Sequence, residues 1–296
     1  MSRAHASNSP VTQATTTAAD ALFTQTAFAC SKKITNAYST SFSLGIRMLA
    51  GAYHAPIYGI YGFVRYADEI VDTFHQADKP LLLAEFRQET DKAIRRGISL
   101  NPVLHAFAQV VNEYHIEYEL VDAFLRSMEM DLGLRQCDQA SYAEYIFGSA
   151  EAVGLMCLRV FTKGNEAEYR RLYEPARRLG AAFQKVNFLR DMRSDYQDRG
   201  RVYFPGVDFE QFDAQAKAAI EADIQADFDA ALAGIRQLPR GARLGVYVAY
   251  IYYLRLFAKI KRVPPARVQA QRIRVPNGEK LALLAGTYVR YKLKAL

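Results

Sequence analysis

The 296-residue sequence predicts an all-α fold, and three observations carry that expectation. Apolar residues recur at helical spacing along nearly the whole chain. No stretch alternates β-branched residues between hairpin-type turns, and no internal repeat divides the chain. Prolines and glycines sit where apolar-periodic segments begin and end. Half of the residues are hydrophobic, enough for a sizeable core, and no change in composition marks a second domain. The expectation is one all-α domain over residues 20–296, about ten helices in all, behind a disordered tail over residues 1–19.

The first helix is expected from Asp20 to about Lys33, with Leu22, Phe23, Ala27 and Cys30 on one side. The hydroxyl-rich run Asn36 to Ser43 disfavours a helix interior and reads as a loop or a helix entry. Pro56 suits the first turn of a helix reaching about Phe74. Further helices are expected over Leu81–Arg96, closed by Gly97, then Pro102–Tyr114, Leu120–Leu132 and Ser141–Phe161. Pro175 again suits a first turn, in a helix to about Tyr196. A loop over Gln197–Phe212 precedes helices at Ala214–Leu238 and Leu244–Lys261. Pro264-Pro265 and Pro276-Asn277-Gly278 mark loops, and a last helix runs from Glu279 to about Leu293.

Composition narrows the chemistry. The formal net charge is +7, and the excess is concentrated: from Arg240 to Leu296 there are 13 basic residues and one acidic residue. Such a segment suits phosphates or an anionic membrane surface. Three scattered cysteines (Cys30, Cys137, Cys157), without a CxxC pair, argue against a disulfide framework or a zinc site and for a reducing cytoplasm. Any metal is expected to be a hard, oxygen-liganded ion such as magnesium. The longest apolar run, Leu244 to Leu254, has 11 residues, short of the roughly 20 that span a bilayer.

Two stretches stand out. In the first, Ile57, Tyr61, Val64, Asp68 and Val71 share a stripe, with Arg65 and Asp72 beside it. In the second, Leu179, Phe183 and Val186 lead into Asn187, Asp191 and Asp195, with Gln184 and Arg190 adjacent. Each polar set begins twelve residues after a proline expected to start its helix. Alone, either acidic pair fits a solvated helix face. Here, however, the carboxylates continue core-facing stripes, and burying uncompensated charge costs several kcal/mol. Divalent cations holding an anionic ligand would compensate them, and Arg65 and Arg190 could grip phosphate oxygens.

With these residues in hand, the chain resembles the squalene/phytoene synthase family of head-to-head prenyl synthases, most of all its bacterial-type phytoene synthases, from about Ser39 to about Ile260. Arg65, Asp68 and Asp72 match the family's first acidic motif. Gln184, Asn187, Arg190, Asp191 and Asp195, then Arg201, Tyr203 and Pro205, match the second. Ser39, Ser41 and Phe42 match its Ser-x-Ser-Phe segment. On the central helix Tyr145 and Gly154 match, but Glu151 replaces a family glycine, which bears on local helix packing and the pocket wall. Tyr253 stands in a tyrosine-rich run, where core packing competes with substrate contact.

The resemblance implies an isoprenoid-synthase-type helical bundle with a central cavity for two allylic prenyl diphosphates. It implies magnesium, with manganese as a substitute, on Asp68, Asp72, Asn187, Asp191 and Asp195. Arg65, Arg190 and Arg201 would stabilise the leaving diphosphate, while Ser39, Ser41, Gln184, Tyr203 and Tyr253 contact substrate. Phe42, Tyr61 and Tyr145 are candidates to face the carbocation. The implied activity is phytoene synthesis in carotenoid biosynthesis, from two geranylgeranyl diphosphates via a cyclopropylcarbinyl diphosphate and without NADPH. The alternatives are squalene or dehydrosqualene synthesis from two farnesyl diphosphates, or a non-catalytic lipid-binding or assembly protein on the same fold. A head-to-tail synthase or terpene cyclase is disfavoured because no DDxxD run is present. Expected partners are the prenyl diphosphate, an anionic membrane met peripherally from the cytoplasm and downstream carotenoid enzymes, with no nucleic acid.

Overall fold

Two long helices, α3 (Gly51–Asp72) and α9 (Glu166–Arg199), face a common cavity, and the remaining helices pack around them. The structure, a computed structural model, describes residues 17–293. Before α3 come α1 (Ala18–Tyr38) and α2 (Thr40–Arg47). Between α3 and α9 lie α4 (Lys79–Arg96), α5 (Pro102–Tyr114), α6 (Tyr118–Gly133), α7 (Gln139–Ile146), a π-helical turn (Phe147–Glu151) and α8 (Ala152–Phe161). After α9 come α10 (Ala214–Gln237), α11 (Arg240–Lys261), α12 (Pro265–Ala270) and α13 (Asn277–Lys292). No strand occurs among the described residues, apart from a single bridge between Gln136 and Val202. The expected tail falls outside the described residues up to residue 16. Thr17 already caps α1 through a reciprocal capping box with Asp20.

Local chemistry sets most boundaries. Ser39, Asp78, Asn101, Asn165 and Asp213 each accept a hydrogen bond from the first turn of the helix that follows. Gly97 and Gly200 end α4 and α9 in the left-handed conformation, which costs glycine little. The core has two parts. One gathers α2–α6 and α8 around Phe63, whose ring stacks on Phe107 at 3.8 Å. The other gathers α7 and α9–α12 around Phe228, Leu256 and Phe257.

Several boundaries differ from the sequence expectation. Pro56 and Pro175 lie inside α3 and α9 rather than in their first turns. Tertiary anchors extend both helices backward. Ala50 N–H donates to the Gly241 carbonyl at 2.8 Å, and the Tyr53 hydroxyl donates to that of Phe161 at 3.2 Å. In α9, Asn165 caps the added turns while Tyr169 and Leu172 are buried. The hydroxyl-rich run proves to be a helix entry, with Ser39 as the cap of α2. Pro264-Pro265 opens the short helix α12 where a loop was expected, because Val268 is fully buried there.

The helix expected over Ser141–Phe161 is broken by the π turn, where α6 and α9 approach closely. A Cβ on Gly148 would sit 2.2 Å from the Ala123 carbonyl oxygen, and one on Gly180 would sit 2.7 Å from that of Ala150. The backbone of this segment therefore touches both neighbours directly. Glu151 ends the turn but does not line the cavity. It pairs with Arg177 of α9 at 2.5 Å, and burial raises its carboxyl above the usual range. The wall here is instead built by Ala150, Val153, Gly154 and Cys157.

Candidate active site

The two apolar cores leave between them a cavity of about 1020 Å³. Its deep part is apolar, with Ile57, Ile60, Leu158, Phe161, Leu172 and Leu238 among its lining residues. Its polar side is built mainly from the C-terminal halves of α3 and α9. Asp68 and Asp72 come from α3, while Gln184, Asn187, Arg190, Asp191 and Asp195 come from α9. Ser39, Ser41, Phe42, Tyr61, Arg65, Tyr145, Arg201, Tyr203 and Tyr253 line the same cavity. The fold thus brings every residue expected to hold metal or contact substrate to one cavity, whereas Glu151 and Pro205 do not line it.

Arginines meet the carboxylates. Arg199 bonds Asp195 at 3.0 Å and reaches across to Asp72 at 3.2 Å. Arg201 lies 3.9 Å from Asp72 and 3.1 Å from Asp131. Asp191 is held by Arg190 on its own helix and by Arg272 at 2.7 Å. Arg65 pairs with Glu69, lies 3.8 Å from Asp68 and packs its guanidinium 4.5 Å from the Tyr38 ring. Gly200 makes the arrangement possible. Its left-handed turn (φ 65°) ends α9 and lets Arg201 N–H return to the Asp195 carbonyl at 2.8 Å. Arg199 and Arg201 are thereby placed at the same mouth.

Burial pushes the carboxyls of Asp68 and Asp195 up to about 7, with Asp72 and Asp131 adding to the first and Asp191 to the second. Arg65 and Arg199 oppose these shifts without cancelling them. Carboxylates so placed are favoured as anions by further positive charge. Among the donors facing the cavity, Asp68, Asp72, Asp191, Asp195 and the Asn187 amide are hard oxygen ligands suited to Mg²⁺. Among the described residues, no three acidic, histidine or cysteine side chains form a ready-made ion site. Mg²⁺ commonly takes one or two carboxylates and completes its shell with phosphate oxygens and water, so this donor set fits an ion that arrives with an anionic ligand.

Aromatic rings form the next layer. Phe42 lies 5.6 Å from Tyr61 and 6.3 Å from Tyr253 between centroids. Tyr253 stacks on Phe183 at 4.0 Å, and its hydroxyl donates to Asn187 Oδ1 at 3.3 Å. Tyr203 stacks on Phe188 at 4.1 Å, with Tyr145 4.9 Å from it. Ser39 Oγ accepts from the Phe42 N–H at 3.2 Å, so capping α2 also fixes the backbone of the cavity rim.

Asp131, Arg199 and Arg272, which line the cavity and pair with its charged groups, escaped the sequence reading. Asp131 does carry a local signal. It continues the stripe Leu120, Phe124 and Met128 on α6, as Asp68 continues its own stripe on α3. Arg199 stands four residues after Asp195, a pairing distance on a helix. Arg272 lies between α12 and α13 and has no such periodic signal.

Comparison with known proteins agrees with this architecture. The Squalene/phytoene synthase family profile matches residues 35–279. The chain is similar to a 4,4'-diapophytoene synthase of Staphylococcus haemolyticus, 25% identical over 197 residues, covering 64% of this chain and 66% of that protein. It is also similar to a phytoene synthase of Cereibacter sphaeroides, 28% identical over 252 residues, covering 76% of this chain and 69% of that one. Among solved structures, a ligand-bound dehydrosqualene synthase superposes with a TM-score of 0.77 at 21% identity, covering 91% of this chain and 98% of that one. That likeness establishes the isoprenoid-synthase helical fold. Matched along most of its length, the chain belongs to the squalene/phytoene synthase family.

Proposed function

We propose that this protein is a phytoene synthase, joining two geranylgeranyl diphosphates head to head. The observation that carries this reading is the juxtaposition of the α3 and α9 carboxylates, ringed by arginines, with a deep apolar cavity. Magnesium, held by Asp68, Asp72, Asn187, Asp191 and Asp195 when bound, would supply Lewis-acid stabilisation of the departing diphosphate. Arg65, Arg190 and Arg201 bind its oxygens, and Ser39 and Ser41 contribute hydroxyls at the rim. As the donor ionises, the arginines stabilise the growing negative charge. Phe42, Tyr61 and Tyr145 offer their rings to the allylic cation, and the apolar part of the cavity limits the water around it. The acceptor's double bond attacks and a proton leaves the donor's C1 as the ring closes, giving a cyclopropylcarbinyl diphosphate, which ionises in turn, rearranges and loses a second proton to give the 1-1′ product.

Small residues along the cavity, including Gly45, Ala176, Gly180, Gly234 and Gly245, leave length for long tails, which favours the C20 substrate. A second reading, two C15 units, draws on the staphylococcal relative's name. Incubation with geranylgeranyl or farnesyl diphosphate and Mg²⁺, with and without NADPH, tests both. A C40 hydrocarbon independent of NADPH is expected. A C30 product alone overturns the C20 assignment.

A water-insoluble product also gives the basic C-terminal quarter a role. Arg255 and Lys259 are engaged by Glu279, and no described helix is long and apolar enough to cross a membrane. Lys and Arg around residues 259–274 and near the end of α13 are proposed to meet anionic lipid peripherally. Co-sedimentation with phosphatidylserine vesicles should fall with salt. Binding indifferent to both lipid charge and salt overturns this role.

A further inference from the structure

The last helix, α13, carries apolar side chains where a water-facing helix carries polar ones. It packs antiparallel along α11 and is tied to it near both ends. Glu279 pairs with Arg255 and, at 2.6 Å, with Lys259, while the Tyr291 hydroxyl donates to the Arg240 carbonyl at 3.3 Å. Leu283 and the buried Thr287 lie on the packed side. On the opposite side, Leu281, Ala282, Ala285, Tyr288, Val289 and the capping Leu293 are exposed and share one half of the helix circumference at 100° per residue. Leu281, Val289 and Leu293 are 58%, 54% and 73% exposed. The charged residue in that sector is Lys292, at its C-terminal end. A helix on a soluble surface ordinarily turns its apolar stripe to the core and its polar face to water, and α13 departs from that pattern.

Charge selects what covers this face. From Arg240 onward the chain has one acidic residue, Glu279, and two cations already hold it. No carboxylate of this layer is left to repel an anionic surface, and Arg290 is exposed beside the apolar sector. With 16 residues α13 is about 24 Å long, too short to span a bilayer but suited to lie in its interface. We propose that the outward face of α13 inserts into the headgroup–acyl boundary of an anionic membrane, with Arg290 at the level of the phosphates. The inference rests on the peripheral-membrane reading above and names the element that makes the contact. Apolar burial then adds to charge, so binding is weakened by salt but not abolished by it. The placement also bears on the cavity. Tyr252 of α11 lines it, and Lys280 Nζ of α13 lies 5.4 Å from the Tyr252 ring. A single helix thus separates the cavity from the lipid in which a long hydrocarbon dissolves.

The chain has no tryptophan, so Leu281→Trp places a single reporter on this face, and Tyr118→Trp places one at an exposed site on α6. Each variant is mixed with phosphatidylcholine vesicles, with and without phosphatidylserine. With phosphatidylserine, the emission of Leu281→Trp should move to shorter wavelength and be quenched by lipids brominated on the acyl chain, while that of Tyr118→Trp stays unchanged. Leu281→Ser combined with Val289→Ser should weaken vesicle partitioning about 10²-fold at unchanged helix content, because burying each side chain contributes about tenfold or more. Co-sedimentation with phosphatidylserine vesicles without a shift in Leu281→Trp, with an equal shift in Tyr118→Trp, or with undiminished partitioning of the serine pair overturns the inference and leaves the ionic contact standing. A shift that needs no vesicles and grows with protein concentration assigns the face to a second copy of this chain and overturns it as well. A wild-type protein that ignores phosphatidylserine vesicles at every salt concentration overturns instead the peripheral-membrane reading on which the inference rests.

Discussion

Asp72 at the end of α3 and Asp195 near the end of α9 share one guanidinium, that of Arg199, at 3.2 and 3.0 Å. Arg199 therefore ties together the two helices that supply the acidic residues of the cavity. Its side chain is one-third exposed, so solvent screens the pairing and the link is modest. Arg199→Ala should lower Tm by about 1–3 °C in metal-free buffer. Added Mg²⁺ should raise the melting temperature of the variant more than that of wild type, because two carboxylates are then left without this partner. Scanning fluorimetry with and without EDTA measures both shifts. An equal Mg²⁺ response in the two proteins contradicts this account.

The carboxylates themselves should be decisive for chemistry and nearly neutral for folding. Asp68→Ala and Asp191→Ala each remove a donor and should cut diphosphate release by about 10²- to 10³-fold. Helix content by circular dichroism should be unchanged, since Asp68 forms only a long contact with Arg65, and the pairs of Asp191 with Arg190 and the half-exposed Arg272 are side-chain contacts at the cavity. Retained release in both variants would falsify the metal-dependent mechanism and favour a non-catalytic lipid-binding role.

Tyr253 separates packing from polar contact. Its ring stacks on Phe183, and its hydroxyl orients the Asn187 amide. Tyr253→Phe keeps the stack and loses the orientation. The Mg²⁺ concentration giving half-maximal activity should rise about 10-fold, as is common when an outer hydrogen bond to a ligand is lost. Tyr253→Ala should in addition destabilise the protein, by about 3–5 kcal/mol if the cavity left does not collapse. Denaturant titration of the two variants distinguishes these effects.

Glu151 sets a pH dependence outside the catalytic groups. Burial raises its carboxyl above the ordinary 4.5, although Arg177 pulls the other way. The folded state thus binds the proton more tightly than the unfolded state. The resulting stabilisation is full below pH 4.5 and is lost as pH rises through the raised folded value. Glu151→Gln lacks this titration. Relative to the variant, wild type should lose melting temperature as pH is raised from 4.5 through the raised folded value. A difference that grows in favour of wild type over that window would mean that the Arg177 pair outweighs burial.

The helices and their charged faces were legible because both depend on spacing along the chain. Asp68 and Asp72, like Asn187, Asp191 and Asp195, recur every four residues, and a helix stacks such positions whatever surrounds it. Caps such as Ser39 and Gly97 are local in the same sense. The starts of α3 and α9 were misplaced because a proline marks where a helix can begin. Contacts to Gly241, Phe161 and the buried Tyr169 determine where these two do begin.

Sequence by itself determined the all-α class, the two acidic faces and the motifs that place the chain in its family. Only the tertiary structure decided the partners. Arg199 meets Asp72 from another helix, Arg272 reaches Asp191 from a loop, and Asp131 collects the hydroxyls of Tyr145 and Tyr203. Side-chain periodicity tells which way a residue faces on its own helix. Which distant group satisfies a buried charge depends on how helices far apart in the chain pack, because the cost of desolvation is relieved only by atoms brought within a few ångströms.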